Sequence, residues 1–348
     1  MSNNSSFLGP ELTYNSEDNT LVHSAALGGG SHHGGGGGGS TPAPVTEQAP
    51  NSNLEFNLIW DSSVANLGSN EQAFMKAVEN AALYYSSLFT TATHEVINIQ
   101  IGWGEVNGQS LPSGAIGASE TNGYLTNYST VTNGLIASSG GVITSASFNA
   151  SNEPTGAQFF ISSAEAKGFG LISPTSTGVD GYIGFGTGVS WNFTSSATTG
   201  QGSGTGQLQY DFQGVAQHEI SEVMGRIEME GHTTFNRVPT YTPLDLFNFD
   251  APGHLVLSGG DNATTQVKSY FSIDSGTTAL GYFNDGYKGG DIADWASYSS
   301  YTQSQTGLFG YQDAYDAFAY PGINTDLSVD DQYVIETLGV YSTGLAIV

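Results

Sequence analysis

Between residues 53 and 103 the hydropathy pattern changes period twice, and this constrains the fold more than any other feature of the chain. The segment "LEFNLIWDSSV" alternates, with Phe56, Leu58 and Trp60 on one face, as a half-buried strand does. Apolar residues then recur at helical spacing through Phe74, Val78, Ala81, Tyr85 and Leu88, and Ser69 with Gln72 spells a capping box for that helix. Alternation returns in "EVINIQIGWGEV" through Ile97, Ile99, Ile101 and Trp103. A chain that uses both periods to bury its apolar residues belongs to the α+β class.

Residues 107–210 are rich in Gly, Ser, Thr and Asn, and only "AQFFISS" and "DGYIGFG" stand out as short strands among loops. A second helix covers residues 212–225, and a last one runs from Val329 to Leu338, capped by Ser328 and stopped by Gly339. Strand-like patterning from Leu255 to Leu280 predicts a β-rich subdomain within residues 255–300. Residues 1–52 contain "LGGGSHHGGGGGGSTPAPVTEQAP", which has linker composition and predicts a disordered leader in which His32 and His33 are incidental. The folded domain is then residues 53–342, with 343–348 as a tail.

Composition narrows the partners. The 348 residues carry a net charge of -26, yet only 11% are charged, so the imbalance comes from having just six Lys and Arg. Such a surface repels phosphate backbones and anionic lipid, which argues against nucleic acid and membrane as partners. The absence of cysteine excludes disulfides, thiolate metal sites and thiol nucleophiles. The composition suits a secreted or cell-surface bacterial protein. The N-terminus shows neither the basic nor the apolar region of a signal peptide, and the apolar end "LGVYSTGLAIV" suits either a type I-like export signal or an ordinary final strand or tail.

The chemistry concentrates in "VAQHEISEVMGRIE". On a helix, Phe212, Ala216, Ile220, Val223 and Ile227 form one apolar stripe. His218 and Glu222 are one turn apart on the other side, with Glu219 beside them. This is the layout of a zinc-protease helix, with two ligands and a carboxylate placed to take a proton from water. The second histidine of that pattern is replaced by Glu222. Zinc accepts a carboxylate oxygen at about the same distance as an imidazole nitrogen, but the exchange also admits Mn or Fe.

A third ligand is needed, and three residues qualify. Asp245 in "TPLDLF" ranks first, as an acid from a later element. Glu228 ranks second, because "HEISEVMGRIE" reads HExxExxGxxE, although no methionine follows Met229 to supply the Met-turn that goes with this spacing. His232, in a Gly-flanked turn, ranks third. Arg226 either orients a ligand carboxylate, supports an oxyanion, or complements the helix dipole. Tyr241 is either a further donor to an oxyanion or, among 18 tyrosines, an ordinary structural one. Asp285, Asp291 and Asp294 in "NDGYKGGDIADW" suit a calcium loop or a plain surface turn. The other His-Glu pair, at His94, leads into a strand and is structural.

"AQHEISEVMGR" followed by "YTPLDLF", with "YFSIDSGTTALGYFN" and "GGDIADWA" downstream, resembles a family of bacterial secreted zincin-like metalloproteases over residues 53–340. The resemblance implies a zincin-like domain with a mixed sheet and an active-site helix. It also implies a metal-dependent endopeptidase with His218 and Glu222 as ligands and Glu219 as general base, and it favours Asp245. This chain departs from the family in carrying Asn248 where a basic residue is expected. The rival expectation is a catalytically inactive extracellular surface or matrix protein, self-assembling on the same scaffold. A carboxylate-pair glycosidase is disfavoured, since Glu219 and Glu222 point to different sides of the helix.

Overall fold

The computed structural model describes residues 8, 11–15, 20–23, 41–111, 114–141, 143–148, 153–194, 208–233, 237–258, 269–284, 290–296 and 312–342. The glycine tract with His32 and His33, Asp285, and the tail 343–348 lie outside the described residues.

The two alternating segments become parallel neighbours, Leu54–Trp60 and Glu95–Trp103, joined by the helix Glu71–Leu88. Phe56, Leu58, Ile97, Ile99 and Ile101 are fully buried, and Phe74, Val78, Ala81 and Tyr85 of the helix close over the sheet. The helix begins without the expected capping box. Residues Ser62–Asn70 wind as a 3-10 segment, and Asn70 makes no side-chain cap bond.

Gly181–Phe185 continues the parallel run beside Glu95–Trp103, and Gly117–Thr126 then pairs antiparallel with it. Gln158–Ser162 also pairs antiparallel with Gly117–Thr126, and beyond it lie Pro239–Tyr241 and His232–Thr233. Glu11–Asn15 takes one edge of Gly117–Thr126 over Glu120–Tyr124, so Gln158–Ser162 and Gly181–Phe185 lie end to end along the other. The result is a ten-stranded mixed sheet, completed by Thr20–His23 and Val45–Glu47.

A disordered leader is therefore not what the described residues 11–15, 20–23 and 45–47 form. Leu12, Tyr14 and Leu21 enter a small core with Leu125, Phe160, Ile227 and Met229. The averaged composition of residues 1–52 hid these short strands. A sheet edge offers backbone hydrogen bonds to any segment that can extend, whatever flanks it.

The helix Phe212–Val223 packs on the same side as Glu71–Leu88, with the Phe74 and Phe212 rings 5.1 Å apart and Phe185 and Phe212 4.6 Å apart. A second, four-stranded sheet joins Asn248–Ala251, His254–Leu255, Tyr270–Phe271 and Gly281–Tyr282. Trp295, nearly fully buried, anchors the following segment to this sheet through Phe271 and Phe283. The last helix, Val329–Thr337, has a Ser328–Asp331 capping box and ends before Gly339 at φ 105°, close to its expected bounds. Among the described residues no helix is long and apolar enough to cross a membrane.

Candidate metal centre

The motif helix starts at Asp211, whose side chain accepts the Gln213 N–H, and stops after Val223. Phe212, Ala216, Ile220 and Val223 are fully buried against the sheet, which sets the rotation of the helix. That rotation brings His218 and Glu222 to a third residue, Asp294, delivered by the segment that Trp295 anchors. One ligand atom from each lies within 4.8 Å of the others. His218 Nε2 is 3.4 Å from Glu222 Oε1 and 3.2 Å from Asp294 Oδ1.

Each member is held from behind. His218 Nδ1 donates to the Ala314 carbonyl at 2.8 Å, which turns Nε2 toward the two carboxylates. Glu222 Oε2 accepts from Ser119 Oγ at 2.6 Å, a bond that reaches 103 residues back to the strand Gly117–Thr126. Arg226 is fully buried, and its Nη1 bonds Asp294 Oδ1 at 2.6 Å while Nη2 bonds Glu222 Oε1 at 3.3 Å. Its Nε donates to Ser221 Oγ at 2.7 Å, and the guanidinium sits 4.4 Å over the Tyr315 ring. Tyr315 is in turn bonded to Tyr85, which donates to the Gln217 carbonyl.

The charges interlock. Burial drags the His218 pKa down, but the Asp294 and Glu222 carboxylates outweigh it and hold the imidazole well above its ordinary value. Burial pushes Asp294 up, and the His218 and Arg226 charges bring it below the usual carboxylate range. One imidazole nitrogen and two carboxylate oxygens, each fixed by a second partner, make a donor set of the kind that holds a divalent ion.

The group opens on a cleft of about 400 Å³. Glu219 lines it and is 5% exposed. Its carboxylate lies against Gly117, where a Cβ would collide with Glu219 Oε1. The glycine is required by that close approach of side chain to backbone. Asp291, Asp313 and Asp316 also line the cleft. Burial, and then the Asp313 charge, push the Asp316 carboxyl well above its ordinary range.

Several expected residues lie elsewhere. Asp245 is fully buried and accepts from the Met229, Glu230 and Thr242 N–H groups and the Thr242 hydroxyl, so both oxygens serve the turn. Burial raises its carboxyl to about 6 despite these bonds. Glu228 is fully buried and outside the group. His232 Nδ1 bonds the Met229 carbonyl at 2.6 Å as its strand begins. Tyr241 donates to the Leu257 carbonyl at 3.3 Å and packs on Phe159. Neither His232 nor Tyr241 lines the cleft. Arg226 also does not line it, and its guanidinium bonds the Asp294 and Glu222 carboxylates. Asn248 donates to Glu230 Oε1, so the position where a basic residue was expected faces an acid inside the fold.

The residue that sequence reasoning missed in this group is Asp294. It sits in "DIADWA" among Ile292, Ala293, Trp295 and Ala296, all buried. An acid inside such an apolar run is poorly suited to a surface turn, and that was the available signal. Of the expected calcium loop, Asp291 faces the cleft and Asp294 joins the histidine, so the described acids serve the cleft. Comparison with protein-family models, with curated proteins and with solved structures finds no match.

Proposed function

We propose that the protein is a metal-dependent peptidase, exported from the cell. The observation that carries this reading is the buried His218–Glu222–Asp294 group opening into a cleft that Glu219 also lines. His218, Glu222 and Asp294 would hold the ion, and zinc suits a nitrogen-and-carboxylate set. The metal supplies Lewis acidity toward a peptide carbonyl and acidifies water in the cleft.

The chain's own residues do the rest. Glu219 accepts a proton from water and returns it to the leaving amine. Arg226 and Ser119 hold the ligand carboxylates in place, and Ala314 holds the His218 ring. The test is metal content of the purified protein beside His218→Ala and Asp294→Ala, with peptide hydrolysis by Glu219→Gln. Near-stoichiometric zinc lost in the first two variants, and hydrolysis lost without loss of zinc in the third, supports the reading. A wild-type protein that takes up no transition metal after reloading overturns it.

One observation favours a second reading. Arg226 bonds both ligand carboxylates, so the group is neutralised from within by arginine and histidine. A protein that kept the scaffold without turnover would use this network as a buried cross-link on an extracellular surface or matrix component. It would bind no metal and would self-associate.

A further inference from the structure

The cleft carries more acid than a metal group and a proton acceptor require. Beyond Glu219, Glu222 and Asp294 its wall holds Asp291, Asp313 and Asp316, and no Lys or Arg is among the described residues that line it. Asp313 and Asp316 each carry a buried carboxylate oxygen without a hydrogen-bond partner among the described residues, and Asp316 adjoins the apolar part of the wall. Asp316 is 6% exposed, and among the described residues its Oδ2 accepts the Asp313 N–H at 3.3 Å. Its Oδ1 is buried with no hydrogen-bond partner among the described residues. Native structures rarely leave a buried carboxylate oxygen in that state unless something outside the chain completes it.

Backbone pairing places Asp316 beside the segment that carries Asp294, and the Asp294 and His218 charges both act on its carboxyl. Trp295 bridges Asp316 in parallel, and Trp295 directly follows Asp294. The residues next along the wall, Ala317, Phe318 and Ala319, are apolar. An apolar wall ending in an uncompensated acid matches a long aliphatic stem ending in a cation.

We propose that Asp316 is the specificity residue of the cleft and takes a Lys or Arg side chain of a peptide substrate. The proposal rests on the peptidase reading for its substrate, but the cation subsite itself can be measured without turnover. The ion pair forms in a site shielded from water, where a guanidinium gains two parallel hydrogen bonds from a carboxylate. The bound side chain lies next to the metal group, so the preference falls on a residue adjoining the cleaved bond.

The experiment titrates p-aminobenzamidine, followed by its fluorescence, into zinc-loaded full-length protein and into Asp316→Asn and Asp316→Glu. Alongside, each protein is given a pair of peptides that differ only in Lys or norleucine. Binding by wild type, weakened roughly thirtyfold or more by Asp316→Asn and retained by Asp316→Glu with zinc content unchanged in both, supports the proposal. So does a matching fall in kcat/KM for the lysine peptide alone. Probe binding indifferent to Asp316→Asn overturns it, and so does equal cleavage of both peptides by wild type. If neither peptide is cut while the probe still binds through Asp316, the peptidase reading fails and the cation subsite stands.

Discussion

Arg226→Met tests whether the arginine neutralises the candidate ligands, and the structure sets the size of the effect. The guanidinium donates to Asp294 at 2.6 Å, Ser221 at 2.7 Å, and Glu222 and the Ala293 carbonyl at 3.3 Å each, with the Tyr315 ring beneath it. Methionine fills much of the same linear volume, so the lost term is chiefly electrostatic. Removing one partner of a buried ion pair leaves the other uncompensated, at a cost of about 3–5 kcal/mol. Here two carboxylates are left with His218 as the remaining cationic partner among the described residues, and Glu222 keeps its bond from Ser119. Urea unfolding in chelator should therefore show a loss of about 3–5 kcal/mol at unchanged m-value. In saturating zinc the ion takes over the neutralisation, and the loss should shrink by at least about 1 kcal/mol, the scale of coupling between groups in contact. A chelator-condition loss under about 1 kcal/mol would refute the assigned network. Equal losses with and without zinc would refute the idea that arginine and metal answer the same two carboxylates.

Other outcomes follow from the same geometry. Gly117→Ala should displace Glu219, whose Oε1 occupies the place of the new Cβ, and lower kcat by on the order of 10²-fold while zinc content stays at the wild-type value; a kcat that does not move removes Glu219 from the chemistry. Asp245→Asn should cost about 1–3 kcal/mol by facing an amide toward three backbone N–H groups, yet leave zinc stoichiometry alone, and metal loss without destabilisation would restore Asp245 as a ligand. Burial pushes Glu95 and Glu165 up to about 8 and Asp245 to about 6. The folded chain thus binds these protons more tightly than the unfolded one, so their stabilising contribution is present at low pH and is lost as pH rises from the ordinary carboxylate range to those values. Melting in chelator should be higher at pH 5 than at pH 8, and a Tm that rises over that interval contradicts the burial of these acids.

What the sequence by itself determined is local. The stripe Phe212, Ala216, Ile220 and Val223 set the rotation of the motif helix. The alternation through Phe56, Leu58, Ile97, Ile99 and Ile101 made two buried strands, and Ser328 and Gly339 bounded the last helix. These signals are periodic, because a side chain's direction repeats every 3.6 residues on a helix and every two on a strand. His218, Glu219 and Glu222 share one helix, so their juxtaposition was legible too.

Apart from the Arg226 bonds to Ser221 and Glu222, what completes the candidate site crosses the chain. Arg226 meets Asp294 over 68 residues and Glu222 meets Ser119 over 103. No spacing rule encodes such pairs, since the entropy of closing a loop changes little with its length. Asp245 had the better spacing, but its turn takes up both carboxylate oxygens with hydrogen bonds. Asp294 looked like a loop acid until Trp295 packed under the second sheet and carried it to His218. Likewise the strand Glu11–Asn15 exists because the edge of Gly117–Thr126 offers it hydrogen bonds. Partner choice over such distances is decided by which surfaces the packed sheet and helices leave facing one another, and only the tertiary structure holds that information.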